Sequence, residues 1–300
     1  MCDSPNLHCN EQHWFMEEQT REQSDQESSP FLQYQFMKQE KLTEGGGEEE
    51  DDDELELQGL LSREERAHSE QLFHSYRDCI QEDLALDGAR RQAIEWMHRV
   101  CRSYAFSSIT EILSVDYYDR LLANIWVAEM KPWRVQLVAV ACLSLAAKVN
   151  EIHVPTLSAL QVERPSYMFE PKTVQRMELL VLSTLEWRMN PVTPFSFLNH
   201  IIGRLRFRTS SQMDRFLTLF ELSLLSLVSE LRFLHHRPSV IAAAVTCRSL
   251  EKMRYEGSQI GCYRDALRDN LKWSEAGGMF EECYEFVGEL QDKSAYVNCR

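Results

Sequence analysis

No Cys-x-x-Cys pair occurs among the nine cysteines, at positions 2, 9, 79, 101, 142, 247, 262, 283 and 299. Paired-thiol zinc sites and dithiol redox chemistry are therefore not expected, and the odd count argues against a disulfide framework. Several of these thiols fall inside apolar helical patterns, where a thiol behaves as a small hydrophobe, and a reducing compartment fits them best. The sequence also lacks any Lys/Arg-rich run, which removes the cationic footprint that nucleic-acid backbone binding requires. No stretch reaches 18 uninterrupted apolar residues, and the N-terminus has no basic, apolar and small-residue succession. Neither secretion nor a membrane span is expected. The nearest approach to a span, Val135 to Val149, is interrupted by Gln136, Ser144 and Lys148 and reads as a helix buried in a globular core. A Gly-rich phosphate loop, HRD and DFG triplets, HExxH and GxSxG are all missing. The expectation is a protein that binds rather than catalyses, with no catalytic residue, no metal and no cofactor.

What charge there is lies in one place. Of the formal net charge of -15, residues 1 to 65 carry 19 acidic and 4 basic side chains, leaving 28 of each sign in residues 66 to 300. Residues 1 to about 58 are rich in Glu, Gln, Asp and Ser and include an acidic block from Glu48 to Glu54. Like charges repel there and little can be buried, so this part is expected to be a disordered tail. The remaining length suits two small domains, each able to bury a core. Ser62-Arg63-Glu64-Glu65 has the form of a capping box, and ordered structure is expected to open there, with an amphipathic helix through Leu72, Phe73, Tyr76 and Ile80.

From Asp87 onward helix signals follow one another. The pattern predicts helices over 90–106, from Ser108 to Trp126, from Pro132, briefly from Pro155, and from Pro171 to Trp187, with proline at the first helical position in several. After a linker containing Pro191, a second series is expected over about 194–206, 210–230, 238–255, 258–271 and 274–291. Duplication is suggested by Ala139-Val140-Ala141-Cys142-Leu143-Ser144-Leu145 against Ala244-Val245-Thr246-Cys247-Arg248-Ser249-Leu250, both A-V-x-C-x-S-L. Each is the third helix of its series and follows a proline. Its small side chains allow neighbouring helices to approach closely, as the centre of a five-helix unit would need.

Several local phrases carry a family resemblance. They are Arg90 six residues before Trp96, the run Cys142-Leu143-Ser144-Leu145-Ala146-Ala147-Lys148-Val149-Asn150-Glu151, and Val174-Gln175-Arg176-Met177-Glu178-Leu179-Leu180-Val181-Leu182. With Leu113 to Arg120 and Leu185 to Pro194 they make residues 62 to 290 resemble a plant D-type cyclin of the D3-like subgroup. The resemblance implies an all-α fold of two tandem five-helix cyclin boxes, preceded by an N-terminal helix and a disordered acidic tail. The implied boundaries are 1–58 for the tail, 59–190 for the N-terminal helix and first box, 191–292 for the second box and 293–300 for a short C-terminal tail. It further implies a regulatory subunit that binds and activates a cyclin-dependent kinase. Lys148 and Glu178 would contact the kinase main chain, with Leu145, Val149, Ile152 and Phe169 supplying apolar area. A cation ending a helix faces the negative end of its dipole, and an anion on an apolar face needs a partner.

Two recruitment sites follow. Leu7-His8-Cys9-Asn10-Glu11 has the LxCxE form. In an extended strand Leu7, Cys9 and Glu11 project to one side, so the first two can enter apolar pockets while Glu11 accepts hydrogen bonds at the rim. In the family this motif is understood to hold retinoblastoma-related pocket proteins. Trp96 and Gln136 match a substrate-docking patch for Arg-x-Leu segments of substrates and cyclin-dependent kinase inhibitors, and Arg90 matches the neighbouring structural Arg. Ala89, Gln92 and Ala93 make that patch smaller and more polar, so weak docking is expected. The implied role lies at the G1/S transition, in the nucleus with the cytoplasm as a second location. A promoter-binding relative resembling transcription factor IIB would need a basic face and paired Cys-x-x-Cys. Glu95-Trp96-Met97-His98 has the ExxH spacing of di-iron bundles but occurs once, where such sites need two copies.

Overall fold

The computed structural model describes residues 49–68, 84–125, 131–161, 167–205, 209–253 and 277–298, together with Tyr76, Asp78, Ile80 and Phe207. Every regular element among them is helical. In chain order these are α1 (Glu49–His68), α2 (Leu84–Ser103), α3 (Ser108–Asn124), α4 (Pro132–Asn150), a 3-10 turn (Ala159–Gln161) and α5 (Pro171–Thr184). A second series follows, with a 3-10 turn (Pro194–Phe197), α6 (Leu198–Leu205), α7 (Ser210–Val228), a 3-10 turn (Leu231–His235), α8 (Pro238–Lys252) and α9 (Gly277–Asn298). Pro132, Pro171, Pro194 and Pro238 each sit in the first turn of an element, where the missing N–H is no loss and the fixed φ is already helical.

The two matching seven-residue segments are the hearts of α4 and α8. Residues 139 to 147 of α4 and Val240 to Cys247 of α8 are almost fully removed from solvent. α4 is packed by α2, α3 and α5, and α8 by α7 and α9. Ala, Ser and Cys at these positions keep the surrounding axes close. α4 is long and apolar enough to cross a membrane, but most of it is enclosed by its own protein. One continuous apolar core joins the two series, because α3 also packs on α7 across the junction.

A buried ion pair sits at that junction. Arg90 of α2 meets Asp119 of α3 side-on, with Nε to Oδ1 and Nη2 to Oδ2 both at 2.8 Å, and both residues are almost wholly buried. The Tyr76 hydroxyl donates to the same Asp119 at 3.0 Å. The guanidinium also donates to the Val228 and Ser229 carbonyls at 3.1 and 3.0 Å. Those carbonyls end α7, where the helix dipole is negative, so one cation closes the first unit and caps the second.

α1 reaches across in the other direction. Glu64 is buried, and its carboxylate accepts from Ser239 N–H at 2.6 Å and Ser239 Oγ at 2.7 Å. The N-cap of α8 is Arg237, which makes no side-chain cap bond, so Glu64 supplies from a distant helix the acceptor that α8 lacks locally. Burial pushes the Glu64 carboxyl pKa up, against the Ser239 hydrogen bonds and Arg237. Arg63 donates to the Asn190 carbonyl at 2.6 Å, and Glu54 pairs with Arg204 at 3.5 Å.

Several expectations are corrected. α1 opens at Glu49, inside the acidic stretch expected to be disordered, and the Ser62 capping box lies in its interior, where Ser62 O accepts from Arg66. Carboxylates favour a helix N-terminus, and Leu57 is buried in the core; together these outweigh the repulsion on which the sequence reading relied. Pro155 opens no helix; the fourth member of the first series is the 3-10 turn four residues later. α5 stops at Thr184, before Trp187, because Glu186 and Trp187 turn into the left-handed region at φ 52° and 60°. The chain is held there by Trp187 N–H to the Leu182 carbonyl at 2.9 Å. α9 continues to Asn298 through the stretch read as a C-terminal tail. The helix expected over 258–271 lies outside the described residues.

Two outcomes are expected. Arg90→Ala leaves Asp119 charged and unpaired in the core, and should lower unfolding stability by roughly 3–5 kcal/mol, read as a shifted urea midpoint. His98 Nδ1 lies 2.9 Å from buried Glu111, and that hydrogen bond raises its pKa above the ordinary 6.5 despite partial burial. A raised folded pKa stabilises fully below about pH 6.5, and the gain is lost as pH rises through the folded value. The stability difference between the wild type and His98→Asn should therefore be largest below pH 6.5 and shrink towards pH 9 in parallel melts.

Candidate functional site

The end of α4 is fixed before its surface is used. Asn150 Nδ2 donates to Ser107 Oγ at 2.7 Å and to Thr110 Oγ1 at 2.8 Å. Glu151 Oε1 accepts from Ser107 N–H at 2.9 Å and from the Thr110 hydroxyl. Ser107 is itself the N-cap of α3 and accepts from Thr110 N–H. The last turn of one helix is thus bolted to the first turn of another, and Lys148, two residues back, starts from a rigid base.

Lys148 is 44% exposed, and its Nζ donates to Glu178 Oε1 at 2.7 Å and Oε2 at 2.8 Å. Glu178 comes from α5, on the buried stripe Val174, Glu178 and Val181, and its side chain is only 8% exposed. A carboxylate on such a stripe needs a cation, and Lys148 meets it at the edge of the core. The two residues grip each other, with the Lys as the accessible member. An ammonium has three N–H donors and the carboxylate takes two, so one remains to face outward.

The surroundings are apolar and open. Ile152 is 69% exposed, and Val149, Val154, Leu179 and Leu180 are exposed as well. Leu145, expected on this face, is buried in the core: it shares a side of α4 with Val149 but lies one turn further into the packed body of the helix, whereas Val149 is at the protruding end. Phe169 is partly buried against the core. It is held there by fully buried Gln161, which accepts from Phe169 N–H at 2.8 Å and donates to its carbonyl at 3.1 Å. Leu179 and Leu180 stand off the Val174–Val181 stripe, a spacing visible in the sequence that marks them as surface residues of α5. Trp187, expected at a helix end, is 67% exposed, which follows from the left-handed turn after α5.

The second expected patch is less open. Trp96 is 5% exposed, which places it in the core, and its Nε1 has no hydrogen-bond partner among the described residues. Gln136 is occupied: its Nε2 donates to the Tyr167 carbonyl at 3.1 Å and its Oε1 accepts from Tyr167 N–H at 3.2 Å. Arg90 serves the buried junction described above. The ExxH pair has separate uses, Glu95 binding Arg99 and His98 binding Glu111, both at 2.9 Å. Among the described residues no group of three His, Cys, Asp or Glu is placed to hold a metal ion. Leu7, Cys9 and Glu11 lie outside the described residues.

Comparison with known proteins bears on this arrangement. The model of the cyclin N-terminal domain matches residues 58–190, and that of the cyclin C-terminal domain matches residues 192–294. Cyclin-D3-2 of Arabidopsis thaliana is 45% identical over 215 residues, covering 70% of this chain and 57% of that one. Cyclin-D3-1 of Arabidopsis thaliana is 46% identical over 175 residues, covering 58% and 46%. Cyclin-D4-2 of Oryza sativa subsp. japonica is 39% identical over 209 residues, covering 70% and 52%. The matched part is thus about half the length of these curated relatives. Among solved structures, a viral cyclin from herpesvirus saimiri shares the fold, with a TM-score of 0.56 at 19% identity over 68% of this chain and 86% of that one. The chain therefore belongs to the cyclin family, holding both cyclin domains in sequence and resembling plant D-type members over as many as 215 residues.

Proposed function

We propose that this chain is the regulatory subunit of a cyclin-dependent protein kinase, which it activates without performing phosphoryl transfer itself. The observation that carries the reading is a half-exposed Lys148 with one donor to spare, braced by buried Glu178 and bordered by exposed Val149, Ile152 and Leu179. A cation on an apolar rim suits the carbonyls at the end of a partner's helix, where the dipole is negative. Activation is then a population shift: the face binds only the kinase conformation that presents that helix correctly, and so holds it. Exposed apolar side chains around a fixed charge give such an interface its dry centre.

The same reading assigns Leu7, Cys9 and Glu11 to a retinoblastoma-related pocket protein, which the tail would bring to the bound kinase for phosphorylation at the G1/S transition in the nucleus. Its support is the LxCxE spacing, which in an extended segment would bring two apolar side chains and one carboxylate to a common side. Tethering raises the local concentration of a substrate without any new contact at the kinase. Arg-x-Leu docking of inhibitors or substrates is assigned a minor part, since Gln136 is engaged by Tyr167 and Trp96 is buried.

Lys148→Ala should weaken kinase binding by about 2–5 kcal/mol and reduce phosphorylation of a pocket protein accordingly, while leaving pocket-protein binding unchanged in a pull-down. Cys9→Ala should do the opposite, sparing activation measured on a short generic peptide. Loss of both activities in either variant would sink the division of roles. By fluorescence anisotropy, an Arg-x-Leu peptide should bind at least about tenfold more weakly than to a cyclin whose patch carries larger apolar side chains. Gln136→Ala should alter that affinity by less than about threefold, because the amide already has its partners; tight binding abolished by this change would contradict the assignment.

A further inference from the structure

The connection between α6 and α7 has a charge opposite to that of the chain. From Gly203 to Met213 the sequence is Gly-Arg-Leu-Arg-Phe-Arg-Thr-Ser-Ser-Gln-Met, with three arginines and no acid, in a protein of net charge -15. Thr209 is the N-cap of the 19-residue α7, extended at φ -138° and ψ 148°, and its side chain accepts from Gln212 N–H. Ser210 and Ser211 follow as the first two helical residues, both exposed. Ser211 therefore has arginines three and five positions before it, Arg208 and Arg206.

We propose that Ser211 is a phosphorylation site for an arginine-directed protein kinase. Such an enzyme reads its substrate by placing carboxylates where guanidinium groups at fixed spacing can meet them in paired hydrogen bonds. Three observations beyond the spacing support the assignment. The hydroxyl is accessible at the surface. α7 has no acidic residue in its first turn, so no carboxylate of that turn faces its positive end. Arg215, one turn on and exposed, has no ion-pair partner among the described residues. Asp214 is exposed beside it and opposes a new anion, and Arg215 offsets it.

The transfer balances with ATP as the second substrate. The Ser211 oxygen forms a bond to the γ-phosphorus, the bond from that phosphorus to the β-bridging oxygen breaks to release ADP, and the hydroxyl proton passes to a base of the kinase. The product suits its position. Within α7 the Ser210 and Ser211 N–H groups precede the first helical carbonyls, and a phosphate at the second helical residue can accept from them while facing the positive end of the dipole. Arg215 at i+4 completes an ion pair along the helix surface. Modification therefore tightens the start of α7, the helix whose far end receives Arg90. Thr209 has arginines at the same two spacings, Arg206 and Arg204, but Arg204 is paired with Glu54 inside α6, so engaging it dismantles that helix, whereas engaging Ser211 leaves α6 intact and requires only that Phe207 lift from Phe216 and the first turn of α7 open.

The inference is independent of whether the chain activates a kinase. The test is to incubate the full chain with ATP and a purified arginine-directed kinase, map the phosphate by mass spectrometry, and compare melting temperatures. Phosphate is expected on Ser211, absent from Ser211→Ala, and at least tenfold slower to appear in Arg208→Ala of unchanged helical circular dichroism. The modified wild type should melt about 1–3 °C higher, and phosphatase should reverse the shift. Phosphate confined to other serines or to Thr209, an incorporation rate at Ser211 unaffected by Arg208→Ala, or a lowered melting temperature would each overturn the proposal.

Discussion

The structure hangs on Arg90. A guanidinium taken wholly out of water is costly unless each of its donors is met, and here Asp119 meets it side-on while the Val228 and Ser229 carbonyls take further N–H groups. The consequence is geometric more than energetic. An apolar contact tolerates sliding, whereas a fork of hydrogen bonds to one carboxylate and two carbonyls fixes α2, α3 and the end of α7 in a single mutual pose. Tyr76 adds a third anchor on Asp119. Both helical units are thereby built on one reference point.

From that point the route to the surface is short. α3, fixed by Asp119, offers its N-terminal turn to Asn150 and Glu151, and these set the last turn of α4. Lys148 emerges there and meets Glu178 from α5. The accessible charge is therefore not a mobile lysine on a loop but the tip of a chain of satisfied polar contacts running back into the core. A preorganised donor loses little freedom on meeting a partner, which is why rigid faces bind more tightly than their area suggests.

Much of this was readable from the residues. Prolines at helix starts and the A-V-x-C-x-S-L repeat placed α4, α5 and α8, because these signals act locally and at low cost in context. What failed was what depended on distant partners. The acidic run before Leu55 reads as repulsion until a helix dipole and a buried Leu57 are known. Leu145 and Val149 look equivalent on a sequence, and only the packing of α4 separates core from face. Gln136 matched a docking position, yet nothing in the pattern foretold that the main chain of Tyr167 would claim both ends of its amide. The left-handed pair Glu186 and Trp187 carries no glycine to announce it; the conformation is imposed by the turn that joins two units, with Tyr117 and Arg120 holding the Met189 and Arg188 carbonyls beyond it.

The carboxylate that closes the start of α8 belongs to a residue 175 positions earlier. Such borrowing makes the leading helix a structural organ of the trailing unit. Shortening the protein to its two repeats would leave the start of α8 without its acceptor, so the part that looks most dispensable by its acidity is one the trailing unit leans on.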